Sequence, residues 1–302
     1  MFKQVLPKNK NEVEDFLKLT GIVSNFSSWH QLWAFIGSKP TCTLYLWGDQ
    51  KKKSLILKKE RDFIDIRLLF ETASQDSPII KQIKRRFRPQ YIASNLIQQK
   101  PKNSFTKRED LIIDCHTIAR LKDKKIKKKY LANIRNHPRL KLIDAKEIQK
   151  QKITDFLNAW SRMASIKFGK NITCANDRKF IQFFLGKRKV WGRVVLDKET
   201  NDVIGIFFFT YHPSSDDLAV SIIKKNLRGY TQLGILMEVE ECRLALKQGF
   251  KKLLIGGTEI ESQAKFKRQL LKNGQVNTYY SHLILDECEI VDSGKYLRDF
   301  WS

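Results

Sequence analysis

The stretch RGYTQLGILMEVEECRLALKQGFKKLLIGG, Arg228 to Gly257, decides how the rest of the chain is read. Its first seven residues form a glycine-punctuated loop. A helix is expected from Gln232 to Gln248, because Leu233, Met237 and Leu244 fall within about 40° of one another at about 100° per residue. Gly249 stops that helix, and KKLLIGG then reads as a buried strand. Glu240 lies inside the apolar stripe, whereas Glu238 and Glu241 point toward solvent or a flank. The segment that follows, TEIESQAKFKRQLLKNG, Thr258 to Gly274, is a second helix. Thr258 and Glu261 have capping-box spacing, and Asn273-Gly274 is a stop signal. Ile260, Ala264 and Leu271 make its stripe, with Lys267 in the middle, while Lys265, Arg268 and Lys272 lie away from it. A charge centred on a core-facing stripe is costly unless something compensates it. Two consecutive helices thus each carry one such charge, of opposite sign. Glu240 and Lys267 are expected in one partly buried polar site, paired directly or through a ligand.

Working outward, the order from Lys146 is regular. Helices are expected over Lys146–Lys167 and Asp177–Leu185. VWGRVVLD and DVIGIFFFTYH are strands joined by a hairpin, and DLAVSII is a further strand before the loop. VNTYYSHLIL is the last strand. Before Lys146, DLIIDC is a strand, and Arg120–Lys141 is the densest basic stretch, with ten Lys or Arg against one Asp. In its helical part Ile126, Tyr130 and Ile134, spaced by four, mark a packing side; Pro138 ends the helix. Ser94–Asp110 reads as a connector. Earlier still, Asn11–Leu19 and Ser77–Phe87 are helices, and Thr41–Trp47, SLILKKE and DFIDIRLLF are strands. This alternation is compatible with a diverged copy of the second part.

The 302 residues suit two domains at about 100–200 residues each, divided here as 1–109 and 110–302. A 42% apolar content supports real cores, and a net charge of +25 points to an anionic partner. That partner is nucleic acid, another phosphate-rich ligand, or an anionic membrane touched peripherally. Five scattered cysteines with no Cys-x-x-Cys pair exclude a disulfide framework and a zinc site, and fit a cytoplasmic, reducing setting. The five histidines show no metal-site spacing and are expected to be structural or surface residues. The most apolar run, Val203–Tyr211, is too short to span a bilayer.

The helix, helix, hairpin, strand, loop, helix, strand, helix, strand order resembles the GNAT-like acyltransferase fold. RGYTQLG with its helix and strand is similar to the pyrophosphate loop of that superfamily, although the glycines are fewer. KKKYLANIRN, LMEVEECRLALKQGFKKLLIGG and AKFKRQLLKNG are similar to segments of the Fem-type aminoacyl-tRNA-dependent transferases and the lysylphosphatidylglycerol synthetase transferase domain. The resemblance implies an α/β chain of tandem GNAT-like domains, each a mixed, mostly antiparallel twisted sheet flanked by helices. The first domain would be a degenerate copy.

It also implies an acyl- or aminoacyltransferase with no tightly bound cofactor. Its donor would be aminoacyl-tRNA or acyl-CoA, and its acceptor an amine or hydroxyl. Arg228, Gly229, Gln232 and Gly234 would hold donor phosphates through backbone N–H groups and a helix N-terminus. Lys127, Lys128, Lys129 and Arg135 would bind nucleic acid or another anion. Lys267 would stabilise the developing oxyanion, Glu240 would orient or neutralise it, and Glu259 and Tyr280 would serve as general acid or base. The competing reading is a non-catalytic, basic nucleic-acid-binding protein on a transferase-like fold, which accounts for the charge but not for Glu240 and Lys267.

Overall fold

A computed structural model describes residues 2–20, 23, 29–38, 43–48, 53–59, 63–68, 77–89, 91–97, 105–169, 171–230, 232–256, 261–271 and 274–286. Its strands are β1 (Phe2–Gln4), β2 (Thr43–Gly48), β3 (Lys53–Lys59), β4 (Phe63–Leu68), β5 (Tyr91–Ile97), β6 (Phe105–Asp114), β7 (Leu140–Asp144), β8 (Val190–Asp197), β9 (Val203–His212), β10 (Ser215–Asn226), β11 (Lys252–Leu254) and β12 (Gln275–Asp286). The helices are α1 (Lys10–Thr20), α2 (Trp29–Ser38), α3 (Pro78–Phe87), α4 (Cys115–Ala119), α5 (Lys124–Asn136), α6 (Lys150–Phe168), α7 (Ala175–Phe184), α8 (Leu233–Lys247) and α9 (Glu261–Arg268).

All twelve strands join one sheet in the order β1-β2-β3-β4-β5-β12-β6-β11-β10-β9-β8-β7. The order is a palindrome in topology. In each half an antiparallel meander is followed by a parallel crossover through one helix: β4–α3–β5 in the first half and β10–α8–β11 in the second. The next strand is exchanged. β6 pairs with β11, β12 pairs with β5, and β6 and β12 pair antiparallel at the centre. The diverged copy suggested by the sequence thus has a topological counterpart. β6 runs through residue 110, where the sequence places the division between the two parts.

The second half holds the larger core. β9 is buried on both faces, which explains its unbroken apolar run. Phe207 and Phe209 face α8 and pack with Leu233, Leu236, Met237 and Leu253. Ile206 and Phe208 face the other way, against Ile153, Phe156, Leu157, Phe180 and Ile181 of α6 and α7. The first half carries a smaller cluster, Ile79, Ile80, Ile83 and Ile92, built on α3 and β5. α2 of the first half packs on α7 of the second. There His30 is buried, with Nδ1 3.3 Å from Thr210 Oγ1, and burial with the charge of Lys10 lowers its pKa to about 3. It is a neutral structural histidine, as the sequence reading has it.

Three local expectations are corrected. The connector over Ser94–Asp110 contains the end of β5 and the first half of β6; its run KRED hides the strand because Lys107 and Glu109 pair with each other and Arg268 rather than alternate with apolar residues. In α5 the third packing residue is Asn133, which is buried, whereas Ile134 is 46% exposed. α9 ends at Arg268, and Gln269, Leu270 and Leu271 follow it in turns, each N–H donating to the carbonyl three residues earlier. The Thr258 cap lies outside the described residues.

Gly192 on β8 is required by close approach. A Cβ there would overlap the ring of Phe208 and the carbonyl oxygen of Phe207. Gly192→Ala is expected to lower unfolding free energy by about 2–3 kcal/mol, as overpacking of a rigid core does. Denaturant titration checks this; an unchanged midpoint would refute the close contact.

Candidate functional site

β10 and β11 pair in parallel over only three positions, ending at Val220↔Leu254. β10 continues from Ser221 to Asn226 beyond that last pair. Among the described residues no strand pairs with this side of Ser221–Asn226, so β10 has an open edge there, and the start of α8 and the end of β11 flank the opening. At the loop, Gly229 and Gln232 adopt left-handed backbone conformations, with φ of 94° and 61°. Gln232 is the N-cap of α8, its side chain makes no capping bond, and the first turn has no acid. The helix thus presents its positive end without a resident carboxylate. Arg228 and Gly229 beside it are exposed.

The loop is tied down from behind. The Tyr230 hydroxyl donates to buried Asp197 over 3.3 Å, and Arg139 pairs with the same carboxylate at 3.0 Å. The Tyr230 ring also rests on His137. Burial of Tyr230, with the negative charge of Asp197, raises its pKa, so the phenol stays protonated as a donor.

α9 closes the other side. The Phe266 ring lies beside Gly234, 3.6 Å from where a Cβ would stand, an ordinary contact distance, so α9 packs on the first turn of α8. The next residue, Lys267, donates from Nζ to the carbonyl oxygens of Ile255 and Gly256, at 2.9 and 3.0 Å. These carbonyls follow directly on β11. The misplaced lysine of the sequence therefore holds a positive charge at the end of β11, beside the opening.

Glu240 has other partners. Its carboxylate accepts from Tyr130 at 3.0 Å and from Arg243 at 2.6 Å, and pairs with Arg193 at 3.3 Å. Of the two expected arrangements, a direct pair or a link through a ligand, the direct Glu240–Lys267 pair is not formed. α5 crosses α8 at this point, and the clasp of Tyr130, Arg193 and Arg243 supplies the compensation that the buried glutamate needs. Burial raises the pKa of Tyr130, and the neighbouring carboxylate adds to the shift.

The other two glutamates of α8 are the reverse of the expectation. Glu238 and Glu241 are buried, at 2% and 0% exposure, and both pair with Lys224 of β10. The bulge between Ser221 and Ile223 puts Lys224 on the α8 face. Burial weakens the lysine's hold on its proton, but the two carboxylates more than restore it and raise its pKa above the usual range. Two carboxylates around one ammonium leave an excess negative charge, so a proton is retained: burial, with Glu238, lifts Glu241 to about 7. The helical wheel missed this cluster because its cation comes from another element.

Of the remaining expected residues, Gly234 and Gln232 line the start of α8. Lys127, Lys128 and Arg135 are exposed on α5, and Lys129 donates to Gln269 over 2.7 Å, tying α5 to the turns after α9. Tyr280 pairs with Lys107 in the β6–β12 ladder. Glu259 lies outside the described residues. Among the described residues no group of three or more His, Cys, Asp or Glu is placed to hold a metal, and no helix is long and apolar enough to cross a membrane.

No family model and no curated protein matches the chain. Solved structures do match in fold. FemX is 7% identical, covers 99% of each chain and has a TM-score of 0.62. L-PGS from Bacillus licheniformis is 11% identical, covers 98% of this chain and 96% of its own, and has a TM-score of 0.61. A tandem GNAT protein from the clavulanic acid biosynthesis pathway is 8% identical, covers 94% and 98%, and has a TM-score of 0.57. The chain has the mixed, helix-flanked fold of these proteins, which meets the resemblance read from its sequence.

The buried acid predicts a pH dependence. Native Glu241 keeps its proton where the unfolded chain has lost it, so stability falls as pH rises from about 4.5 to about 7 and stays lowered above that. Glu241→Gln is expected to reduce this fall, checked by denaturant unfolding at pH 5 and pH 8. An identical fall in both proteins would show that Glu241 is not the group responsible.

Proposed function

We propose that the protein transfers an acyl or aminoacyl group from a phosphate-bearing carrier, aminoacyl-tRNA or acyl-CoA, to an amine or hydroxyl acceptor. One observation carries the reading. The ammonium of Lys267 is fixed at the end of β11, next to the open stretch of β10, and Phe266 binds the same element to the first turn of α8. A positive helix end and a fixed cation thus flank one opening, with Arg228 exposed at its mouth.

In this reading the donor phosphates lie at Arg228 and Gly229 and on the N–H groups at the start of α8, from Gln232 through Gly234, where the helix field favours anions. The acyl carbonyl is directed to the parted strands. The acceptor's lone pair forms a bond to the carbonyl carbon, and the carbonyl oxygen gains negative charge. Lys267 supplies the opposing charge, held in place by two backbone carbonyls so that little reorganisation is needed. The bond from the carbonyl carbon to the carrier then breaks, and the carrier leaves with the electron pair. Glu259 is the candidate to accept the acceptor's proton, and Tyr280 the candidate to give one to the leaving carrier. Tyr280 lies level with Lys107, three residues before Asp110 on β6, or about 10 Å along the strand direction. Glu240 acts at one remove, by holding α5 on α8.

Single-turnover assays with labelled aminoacyl-tRNA and labelled acyl-CoA test the reading. Lys267→Met is expected to lower the rate of transfer by about 100-fold or more, the scale of one lost oxyanion donor. Arg228→Ala is expected to raise the KM for donor with kcat little changed. Melting temperatures show whether each variant is folded. Folded Lys267→Met with undiminished transfer would overturn the oxyanion role; no transfer from either donor, with steeply salt-dependent nucleic-acid binding instead, would overturn the enzyme. Glu240→Gln, which keeps the shape and removes the charge, is expected to cost about 1–3 kcal/mol of stability through the two unpaired guanidiniums. The same denaturant titration measures it, and no loss would argue against the clasp.

A further inference from the structure

The outward face of α5 is unlike an ordinary solvated helix. Ile126, Tyr130 and Asn133 turn inward and are buried. On the opposite side Lys124, Lys127, Lys128 and Arg135 are exposed, and the helix contains no acidic residue. Among these cations stand Leu131 and Ile134, 50% and 46% exposed. At about 100° per residue, Leu131 falls within about 40° of Lys124, Lys127 and Arg135. Two large aliphatic side chains are thus held in water inside a ring of positive charge, on a helix clasped to the fold by Tyr130 and Glu240.

We propose that this face of α5 docks the protein on an anionic lipid surface. The cations meet headgroup phosphates, and Leu131 and Ile134 enter the zone between headgroups and acyl chains. Charge complementarity selects the occupant. A second copy of the chain would bring like charge against like, with +25 on each. A nucleic acid would satisfy the cations but offers nothing to the aliphatics, and no aromatic side chain is exposed on this face to stack on a base. An anionic lipid interface rewards both. The inference does not depend on the transferase reading, since it uses no residue of the opening between β10 and β11.

Co-sedimentation of the full chain with vesicles tests it. Phosphatidylcholine vesicles and vesicles with added phosphatidylglycerol are compared at physiological salt, with total tRNA as competitor. Binding is expected to need the anionic lipid. The double variant Leu131→Ser/Ile134→Ser is expected to weaken it by about tenfold, the scale for two half-buried aliphatic contacts. Lys124→Glu/Lys128→Glu is expected to abolish it, and circular dichroism establishes that both variants are folded. No binding to anionic vesicles overturns the proposal. So does vesicle binding that the aliphatic variant leaves unchanged, since that is a general effect of net charge. tRNA binding lost in the charge variant, without vesicle binding, assigns the face to nucleic acid instead.

Discussion

The short pairing of β10 with β11 is the constraint on which the rest of the site depends. Parallel strands need a crossover, and here α8 supplies it. Three residue pairs join the strands and then stop, so the polar edge of β10 has to be managed in some other way. Each neighbouring feature answers to that gap. The bulge after Ser221 turns Lys224 under α8, Lys267 takes the carbonyls that follow β11, and the uncapped end of α8 stands at the mouth. The opening lies between β10, α8 and α9, and a site built on helices and strands is positioned more precisely than one built on loops.

The three glutamates of α8 show how a single helix distributes charge. Glu240 is met by two guanidiniums and a phenol at its partly open edge, where the charges keep contact with solvent. Glu238 and Glu241 share one lysine in full burial, and burial pushes the Glu241 carboxyl up to about 7. Full burial of an odd charge is the more costly arrangement, and the proton is the cheapest way to remove it. Lys224 lies within Ser221–Asn226, so the cluster also braces the segment of β10 that has lost its neighbour.

Legibility in the sequence followed the range of the forces involved. α8 was readable nearly to the residue, because its stop at Gly249 and its apolar stripe are local signals. β9 was readable because burial on both faces leaves a continuous apolar run. β6 was not, since its charged first half is stabilised by a ladder with β12, some 170 residues later in sequence. The same limit governs the site. Lys267 and Glu240 could be found as violations of their own helices, but most of their partners could not. Arg243 stands three residues from Glu240 on α8, a pairing that helix spacing allows, whereas Tyr130 and Arg193 reach it from α5 and β8, and no spacing rule connects those. Glu238 and Glu241 were misjudged for a related reason: a charged residue off the main stripe is usually solvated, and only the bulge in β10 makes an exception.

The separate compensation of Glu240 and Lys267 has a chemical consequence. Glu240 gives its charge to Tyr130, Arg193 and Arg243 and holds α5 on α8. Lys267 is held, among its partners, by the carbonyl oxygens of Ile255 and Gly256, which fix its position through partial charges. In the proposed transfer, a cation fixed in advance opposes the charge that develops on the carbonyl oxygen with little reorganisation. Glu240 then serves that site at one remove, through the packing of α5 on α8.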